Sequence, residues 1–407
     1  MTGSTGMLAA LPAHSLTHLD LQGLHGPVDG PAASAALARL THLQRLRIDI
    51  WRAPYSCLAG VAQLNRLTWL ELHGFRSDSE QPLQLLLAQP LPLRVLRLSS
   101  FITLPSLDLS RLTQLQEFSY RGSELPDAVF PSQLQQLELY SVGSNKLLQA
   151  VMQLQQLRRV TFSCISGASE PLLSRLAQMP ALQQLVLVYH SGQQAAAAAV
   201  TWPQLPQLRE LAVCLLNDGP SRRQWQTIFN GVAASTSLTK LGLEAAFRGD
   251  GDGDEDEGAD GTWNASCAKL AGLTNLRQLS FTGWSQVLAL GDALALTALT
   301  RLTRLELYRA RAGVGDEAAA ALAGSCKQLR HLDLTDCSLV SMACLANVAH
   351  LTQLTQLRLE RNSGLTQQGL MLLTGLKRLQ YLGVERSADV TDEVMEHFWA
   401  AMGVQQL

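Results

Sequence analysis

The sequence has few aromatic and few charged residues. Aromatics make up 5% of the 407 residues and charged residues 16%, whereas hydrophobic residues make up 47%. A core with so few rings must be filled mainly by aliphatic side chains, and leucine recurs throughout the chain. The formal net charge is −2, and no basic cluster of the kind that binds nucleic acid is present. We therefore predict no nucleic-acid partner.

Long apolar runs are also missing. The longest candidate, residues 287–299, is shorter than the roughly 20 apolar residues that a membrane span needs, and it contains Asp292. Residues 1–18 show no basic segment followed by an apolar one, which is the pattern of a secretory signal. We predict no membrane partner and a cytoplasmic location.

The seven cysteines are scattered, with no pair at C-x-x-C spacing and no cluster near either end. This distribution favours reduced thiols over a disulfide framework, and no group of histidines and cysteines has the spacing of metal ligands. The motifs HExxH, GxSxG, GxGxxG and the P-loop are absent from the sequence. We predict that the protein is not an enzyme and uses neither cofactor nor metal.

The motif L-x-x-L-x-L recurs along the whole chain. Fourteen intervals separate its first and last copies, with a mean length of about 26 residues, which indicates a repeat array and not separate globular domains. Two intervals depart from the mean: 19 residues after Leu115 and 38 after Leu238. The fifteen copies begin at Leu16, Leu43, Leu67, Leu93, Leu115, Leu134, Leu157, Leu182, Leu208, Leu238, Leu276, Leu302, Leu329, Leu354 and Leu379.

Each copy predicts a short strand followed by a return segment. Alternate residues of x-L-x-L point to opposite faces of a strand, so the leucines are predicted to enter a core. One unit cannot bury its leucines alone, so neighbouring strands are predicted to pair in a parallel sheet. Return segments carry apolar residues at helical spacing, as in Trp225, Ile228, Phe229 and Val232. The predicted fold class is α/β.

In two of the last copies, the ninth residue, counted from the first motif leucine, has a polar or sulfur-containing side chain. The copy that begins at Leu354 ends on Asn362, and the copy that begins at Leu329 ends on Cys337. With these positions, the chain resembles the leucine-rich-repeat family, and its C-terminal copies resemble the ribonuclease-inhibitor and cysteine-containing subtypes. Earlier copies depart from the pattern, with Phe75 and Leu216 at that position. The resemblance implies a curved horseshoe solenoid of about 15 repeats, with the parallel sheet on the concave face and helices or irregular turns on the convex face.

The sequence predicts four parts along the chain. Residues 1–10 form an N-terminal flank, and residues 11–403 form the solenoid. Residues 249–261 read GDGDGDEDEGADG and predict a disordered, solvated loop. The spacing of their first aspartates also matches the start of a calcium loop, but the required glycine and final glutamate are missing. Residues 391–402 predict a helix that caps the last repeat.

The outward-facing strand residues are predicted to bind another protein. They occupy the third, fifth and seventh positions of each copy, and arginine, tyrosine and tryptophan are common in protein interfaces. We expect the C-terminal third to be the main docking surface, whereas pairing of exposed charges across strands would explain the same residues without a partner. All candidates but Arg361, the eighth residue of its copy, lie at these positions. The candidates are Arg45, Arg47, Trp69, Glu71, His73, Arg304, Glu306, Tyr308, His331, Asp333, Arg358, Glu360, Arg361, Tyr381 and Glu385.

One set of residues also permits an enzymatic interpretation. His331, Asp333 and Cys337 lie close in sequence, and a cysteine beside a histidine can act as a nucleophile. Cys337, however, occupies the core position of its repeat, where a buried thiol is inert. We favour the structural interpretation.

The sequence leaves three functions open. The first is a stand-alone scaffold that binds another protein. The resemblance of the last repeats to those of F-box proteins implies the second, a substrate-recognition subunit of an SCF-type ubiquitin ligase. The third, also implied by resemblance alone, is a structural component of a cytoskeletal assembly such as a ciliary axoneme.

Overall fold

The computed structural model describes most of the chain. The described residues are 8–21, 29–49, 55–75, 80–100, 106–122, 125, 127–142, 144–163, 169–218, 220–245, 267–282, 292–309, 311–339, 341–362 and 365–403. The acidic segment 249–261 lies outside them, as do most residues of the predicted N-terminal flank. The chain divides into two compact units, Met1–Val186 and Leu187–Leu407.

The first unit contains a parallel sheet whose strands follow chain order. The motif leucines of paired strands lie opposite one another, for example Leu46 beside Leu70 and Leu70 beside Leu96. This register stacks equivalent side chains of successive repeats, as a repeat array requires. The seven strands are β1 (His18–Leu21), β2 (Arg45–Asp49), β3 (Trp69–Phe75), β4 (Val95–Ser100), β5 (Glu117–Arg121), β6 (Gln136–Leu139) and β7 (Arg159–Phe162).

The second unit repeats this arrangement. Leu305, Leu332 and Leu357 lie side by side on neighbouring strands, and all three are buried. Strand β8 runs across the division between the units. The eight strands are β8 (Gln184–Ser191), β9 (Glu210–Asp218), β10 (Lys240–Ala245), β11 (Gln278–Thr282), β12 (Arg304–Tyr308), β13 (His331–Asp333), β14 (Gln356–Arg358) and β15 (Tyr381–Gly383).

Most return segments contain a helix. The described α-helices are α1 (Gly30–Ala38), α2 (Leu58–Val61), α3 (Glu80–Leu87), α4 (Asn145–Met152), α5 (Ser169–Leu176), α6 (Gly192–Ala199), α7 (Arg222–Ala234), α8 (Asp292–Ala295), α9 (Asp316–Ser325), α10 (Met342–Val348), α11 (Gln367–Leu372) and α12 (Asp392–Met402). Short 3₁₀ helices lie at Tyr55–Cys57, Trp202–Gln204, Cys267–Gly272, Leu296–Ala298 and Leu373–Gly375. No described helix is both long enough and apolar enough to span a membrane.

Helix α7 shows how the sequence produces these elements. Its N-terminus has a complete capping box, because the Ser221 hydroxyl accepts from Gln224 N while the Gln224 side chain accepts from Ser221 N. Trp225, Ile228 and Phe229 follow at helical spacing and are buried. Phe229 meets Phe281 edge-to-face across the core, with ring centroids 6.3 Å apart.

The short repeat after Leu115 has an extended return segment. Strand Ala128–Val129, in the return segment after β5, pairs in parallel with strand Leu107–Asp108, in the return segment after β4. Nineteen residues separate Leu115 from the next motif leucine, Leu134. We attribute the extended geometry to this length, since a helix rises only about 1.5 Å per residue.

Asn362 and Cys337 hold the turns of the last repeats. Asn362 Nδ2 donates to Leu334 O at 2.8 Å and to Leu359 O at 3.0 Å, so one side chain joins two repeats. Cys337 Sγ donates to Leu307 O, 3.1 Å away. The residue just before each of these positions has a left-handed backbone: Asp336 at φ 55° and Arg361 at φ 58°.

The C-terminal helix α12 has a defined cap at each end. Thr391 caps its N-terminus by accepting from Val394 N at 3.3 Å, and Gly403 ends it in the left-handed region at φ 75°. The helix packs against α11 and the turn Leu373–Gly375, and it buries Phe398 and Trp399. Strand order, leucine register and helical return segments together confirm the predicted α/β leucine-rich-repeat solenoid in each unit.

Candidate functional site

The outward strand positions form one side of the sheet in each unit. We call the side chains at the third, fifth and seventh motif positions the polar sheet face. Because side chains alternate along a strand, these residues lie opposite the leucine core. In β12, for example, Leu305 and Leu307 are buried, whereas Arg304 is exposed and Glu306 and Tyr308 are half-buried.

Glu71 is the centre of a charge network in the first unit. Its Oε1 lies 2.6 Å from His73 Nε2 and 3.5 Å from Arg47 Nε. Glu71 is itself buried, whereas Arg47 and His73 are half-buried. A buried carboxylate needs such partners, because removal from water penalises an unpaired charge. Glu71 therefore has little contact with solvent, and its main effect is to hold Arg47 and His73 in place.

Trp69 supports the guanidinium of Arg97. The Arg97 Cζ lies 5.8 Å from the centre of the Trp69 ring, in cation–π geometry. Arg45, on the strand before Trp69, is exposed. These residues give the first unit an exposed cationic and aromatic surface beside the Glu71 network.

Two shallow hollows flank Arg97 on this face. One, of about 50 Å³, is lined by Glu71, His73, Arg97, Leu98, Ser99, Ser119 and Arg121. The other, of about 140 Å³, is lined by Arg97, Glu117, Phe118, Ser119, Gln136, Leu137, Glu138, Arg159 and Thr161. Both exist because short hydroxyl side chains stand between longer charged ones. Of their polar lining residues, the sequence candidates included only Glu71 and His73.

Glu306 has the corresponding position in the second unit. It accepts from Arg304 Nε at 2.8 Å, and His331 Nε2 lies 3.2 Å away, off the ideal hydrogen-bond direction. The pKa of Glu306 is lowered to about 2, chiefly by His331, while partial burial opposes the shift. The carboxylate is therefore ionised at neutral pH, and it holds Arg304 along the face.

His331 and Asp333 lie on the predicted face but are buried there. His331 is 9% exposed and Asp333 is 7% exposed. His331 Nδ1 lies 2.6 Å from Gln356 Oε1, and Asp333 Oδ1 accepts from Thr335 N at 3.0 Å. Both side chains are thus engaged with their own and neighbouring strands, which leaves them little surface to offer a partner.

The exposed residues of the C-terminal repeats stand on this buried layer. Arg358 lies 5.4 Å from the centre of the Tyr381 ring and has Asp333 Oδ2 3.9 Å from its Nη1. Glu360 accepts from the Thr335 hydroxyl at 2.9 Å. Arg361 and Glu385 are exposed at the ends of their repeats.

A larger hollow of the polar sheet face lies where the sequence has small side chains. It has a volume of about 360 Å³. Ala212, Gly242 and Ser280, neighbours at the fifth position of successive strands, form its floor. Lys240, Gln278, Arg304 and Glu306 form its rim. Sequence reasoning missed this hollow because small residues carry no chemistry of their own, although their recurrence at one motif position was a usable signal.

The geometry around Cys337 favours the structural interpretation of that residue. Cys337 is buried, and its Sγ donates to a backbone carbonyl. Burial also raises the pKa of Cys57 and Cys326 to about 11 and that of Cys344 to about 12, so these thiols stay protonated at neutral pH. Within the described ranges, no group of three or more His, Cys, Asp or Glu residues is arranged to hold a metal ion.

Comparison with known proteins gives structural neighbours alone. No protein-family model matches the chain, and neither does any curated protein compared with it. The chain is similar to the internalin inlF of Listeria monocytogenes, with a TM-score of 0.44, 16% identity, and coverage of 87% of this chain and 89% of the internalin. It is also similar to TLR13 in a TLR13–ssRNA13 complex, with a TM-score of 0.44, 16% identity, and coverage of 98% and 54%. The assignment as a leucine-rich-repeat solenoid rests on the register and burial described above.

Proposed function

We propose that this chain is a scaffold that binds another protein on its polar sheet face. The observation that carries the proposal is the arrangement of Arg358 and Tyr381. Both are exposed, and they stack on each other above a buried polar layer. Such side chains lose little conformational entropy on binding, because the fold already restricts them. Arginine and tyrosine are also the residue types that most often dominate binding energy.

The candidates divide into two roles. The exposed residues are proposed to contact the partner: Arg45, Arg304, Arg358, Arg361, Tyr381 and Glu385. The buried or half-buried residues are proposed to position them: Arg47, Trp69, Glu71, His73, Glu306, Tyr308, His331, Asp333 and Glu360. This division gives the candidates different expected effects, because removal of a positioning residue disturbs the exposed side chains beside it.

Site-specific crosslinking tests the proposal. A photo-crosslinking phenylalanine analogue replaces the half-buried Tyr308 or the exposed Tyr381 on the face. Leu372 and Met342 on the helices are controls that match Tyr381 in exposure. Native cell extract supplies the partner, and mass spectrometry identifies what is attached. We expect the same protein at both face positions and at neither helix position. Attachment at the helix positions alone would place binding elsewhere and overturn the proposal.

Charge reversal tests which part of the face binds. Arg304→Glu, Arg358→Glu and Arg361→Glu together should abolish that crosslink. The control is the triple variant Lys327→Glu, Arg330→Glu and Lys377→Glu, which makes the same charge change at exposed residues before the strands. Retention of the crosslink in the first variant would exclude the C-terminal repeats as the main docking surface.

The identity of the crosslinked protein also separates the finer functions. Ligase adaptor subunits would favour the role in an SCF-type ubiquitin ligase, and axonemal proteins would favour the cytoskeletal role. We further propose a cytoplasmic location, supported by the six described cysteines, none of which forms a disulfide. The bonds of Asn362 and Cys337 support the resemblance to ribonuclease-inhibitor and cysteine-containing repeats.

A further inference from the structure

The smaller hollow beside Arg97 gathers hydrogen-bond donors from three adjacent strands. Arg97 and Ser99 come from β4, Ser119 and Arg121 come from β5, and His73 comes from β3. Two guanidinium groups, two hydroxyls and an imidazole therefore border one cavity of about 50 Å³. A water molecule needs about 10–15 Å³ of such space, so the cavity holds a group of only a few heavy atoms.

Ser119 forms the floor of both hollows that flank Arg97 and is only 7% exposed. Among the described residues, its hydroxyl has no hydrogen-bond partner, and the same is true of the Ser99 hydroxyl. The Ser119 Oγ is still open to the hollow, so it can donate to a group that enters there. The structure thus presents to the cavity a hydroxyl that no described residue engages.

The charges around the cavity leave Arg97 unpaired. Glu71 is already engaged by His73 and Arg47, and Arg121 uses its Nε for Glu138 at 2.9 Å. No carboxylate of the described residues lies within 4.0 Å of the Arg97 guanidinium, which rests instead on Trp69. No second carboxylate of the described residues pairs with Arg121, and its side chain is largely exposed. The local chemistry therefore favours an anion.

We propose that this hollow binds a phosphomonoester on a side chain of the partner protein. The inference rests on the proposed scaffold function and names a chemical feature of its partner. A phosphomonoester has three terminal oxygens to accept from the two arginines and two serines, whereas a carboxylate has two. Clustered arginines recognise phosphate well because the planar guanidinium can donate to two oxygens at once.

The surrounding wall disfavours a nucleic-acid strand. Glu71, Glu117 and Glu138 all border the two hollows, and their charges would repel a chain of phosphates. A single anionic side chain meets less of this repulsion, because Glu71 alone of the three lines the smaller hollow, where His73 and Arg47 already pair with it. We therefore assign the hollow to a phosphorylated protein and treat RNA binding as a contradicting outcome.

Titration of the full chain with small probes tests the assignment. The probes are N-acetyl-phosphoserine amide, N-acetyl-aspartate amide, inorganic phosphate and an oligouridylate, followed by NMR of labelled arginine side chains. We expect phosphoserine to bind with a shift of the Arg97 and Arg121 signals. Arg97→Gln should weaken phosphoserine binding about tenfold or more, in line with the loss of charge-assisted hydrogen bonds. Ser119→Ala should weaken it by a smaller factor of about three.

Controls separate this inference from the scaffold proposal. Arg94→Gln removes an exposed arginine that lines neither hollow, and it should leave phosphoserine binding unchanged. Thermal unfolding followed by circular dichroism checks that each variant folds. Absence of phosphoserine binding, equal binding of the aspartate probe, tighter binding of oligouridylate, or insensitivity to Arg97→Gln each overturns the inference. Crosslinking at Tyr308 and Tyr381 is measured separately, so the scaffold proposal stands or fails on its own result.

Discussion

Asn362 Nδ2 donates to the carbonyl of Leu334, which lies 28 residues earlier in the chain and one repeat away. The same nitrogen lies 3.0 Å from Leu359 O, and the side-chain oxygen accepts from Leu339 N at 3.4 Å. One buried amide thus satisfies backbone groups that the turn would otherwise leave without partners. At the turn that follows a strand, these backbone groups need hydrogen-bond partners within the protein, because water does not reach them.

Loss of the Asn362 amide should destabilise the second unit. Asn362→Ala removes a donor and an acceptor from buried backbone groups, at a cost of about 1–3 kcal/mol. Urea unfolding followed by circular dichroism measures the change. The matched control is Asn347→Ala on helix α10, where the side chain is less buried and bonds only within its own helix. Equal effects of the two substitutions would contradict the role assigned to Asn362.

Acid should weaken the fold through Glu306. Its pKa is about 2 in the folded chain against an ordinary value of 4.5, so ionised Glu306 stabilises the folded state. That contribution is complete above about pH 5, and it is lost as the pH falls from there towards about 2. We expect the difference in unfolding free energy between the native chain and Glu306→Gln to shrink over this range. Carbon NMR of the Glu306 carboxyl reports the titration directly.

His331→Leu provides the companion variant for Glu306. Because His331 is the largest cause of the lowered pKa, its removal should move that pKa upward. The acid-dependent loss of stability should then begin at a higher pH. An unchanged Glu306 titration in this variant would show that the two side chains do not interact as the 3.2 Å separation implies.

Two glycine substitutions should have opposite effects. Gly242→Ala, in strand β10, places its new carbon 3.7 Å from Ala212 Cβ, an ordinary contact. We expect a gain of about 0.4–1 kcal/mol, because alanine restricts the unfolded chain. Gly231→Ala, in helix α7, places its carbon 2.1 Å from Ala199 O of helix α6. We expect a loss of about 1–3 kcal/mol from overpacking.

The Gly231 result distinguishes packing from helix propensity. Propensity alone predicts that alanine in place of a helical glycine stabilises a helix by about 1 kcal/mol. Thermal and urea unfolding of the two variants decide the sign. A more stable Gly231→Ala chain would mean that α6 and α7 can separate without cost. The same close approach occurs in the first unit, where a carbon added at Gly60 would lie 2.1 Å from Ser34 O.

The buried cysteines should resist alkylation in the native chain. Burial raises the pKa of Cys57, Cys326 and Cys344, so few thiolates form at neutral pH, and the side chains are covered. We expect iodoacetamide to label these three only after unfolding in urea, as read by peptide mass spectrometry. Rapid labelling of any of them in the native state would reopen the interpretation of a reactive thiol.

Much of the architecture follows from local patterns in the amino-acid chain. The period-two alternation places Leu305 inside and Arg304 outside regardless of what surrounds the strand. The helical spacing after Ser221 and the capping threonine before α12 are equally local signals. For this reason the strands and the core leucines are predicted from the sequence alone, whereas the positions of Asn362 and Cys337 follow from the resemblance to leucine-rich repeats.

The accessibility and chemistry of the polar sheet face depend instead on side chains from other repeats. His331 is covered because Gln356 and Glu306 come beside it from strands about 25 residues away. Arg97 stands above a hollow because its neighbours on β5, at positions 119 and 121, differ in length. A strand sets only the direction of its own side chains, whereas the depth to which each is buried, and the charge that meets it, arise when repeats far apart in sequence are stacked side by side.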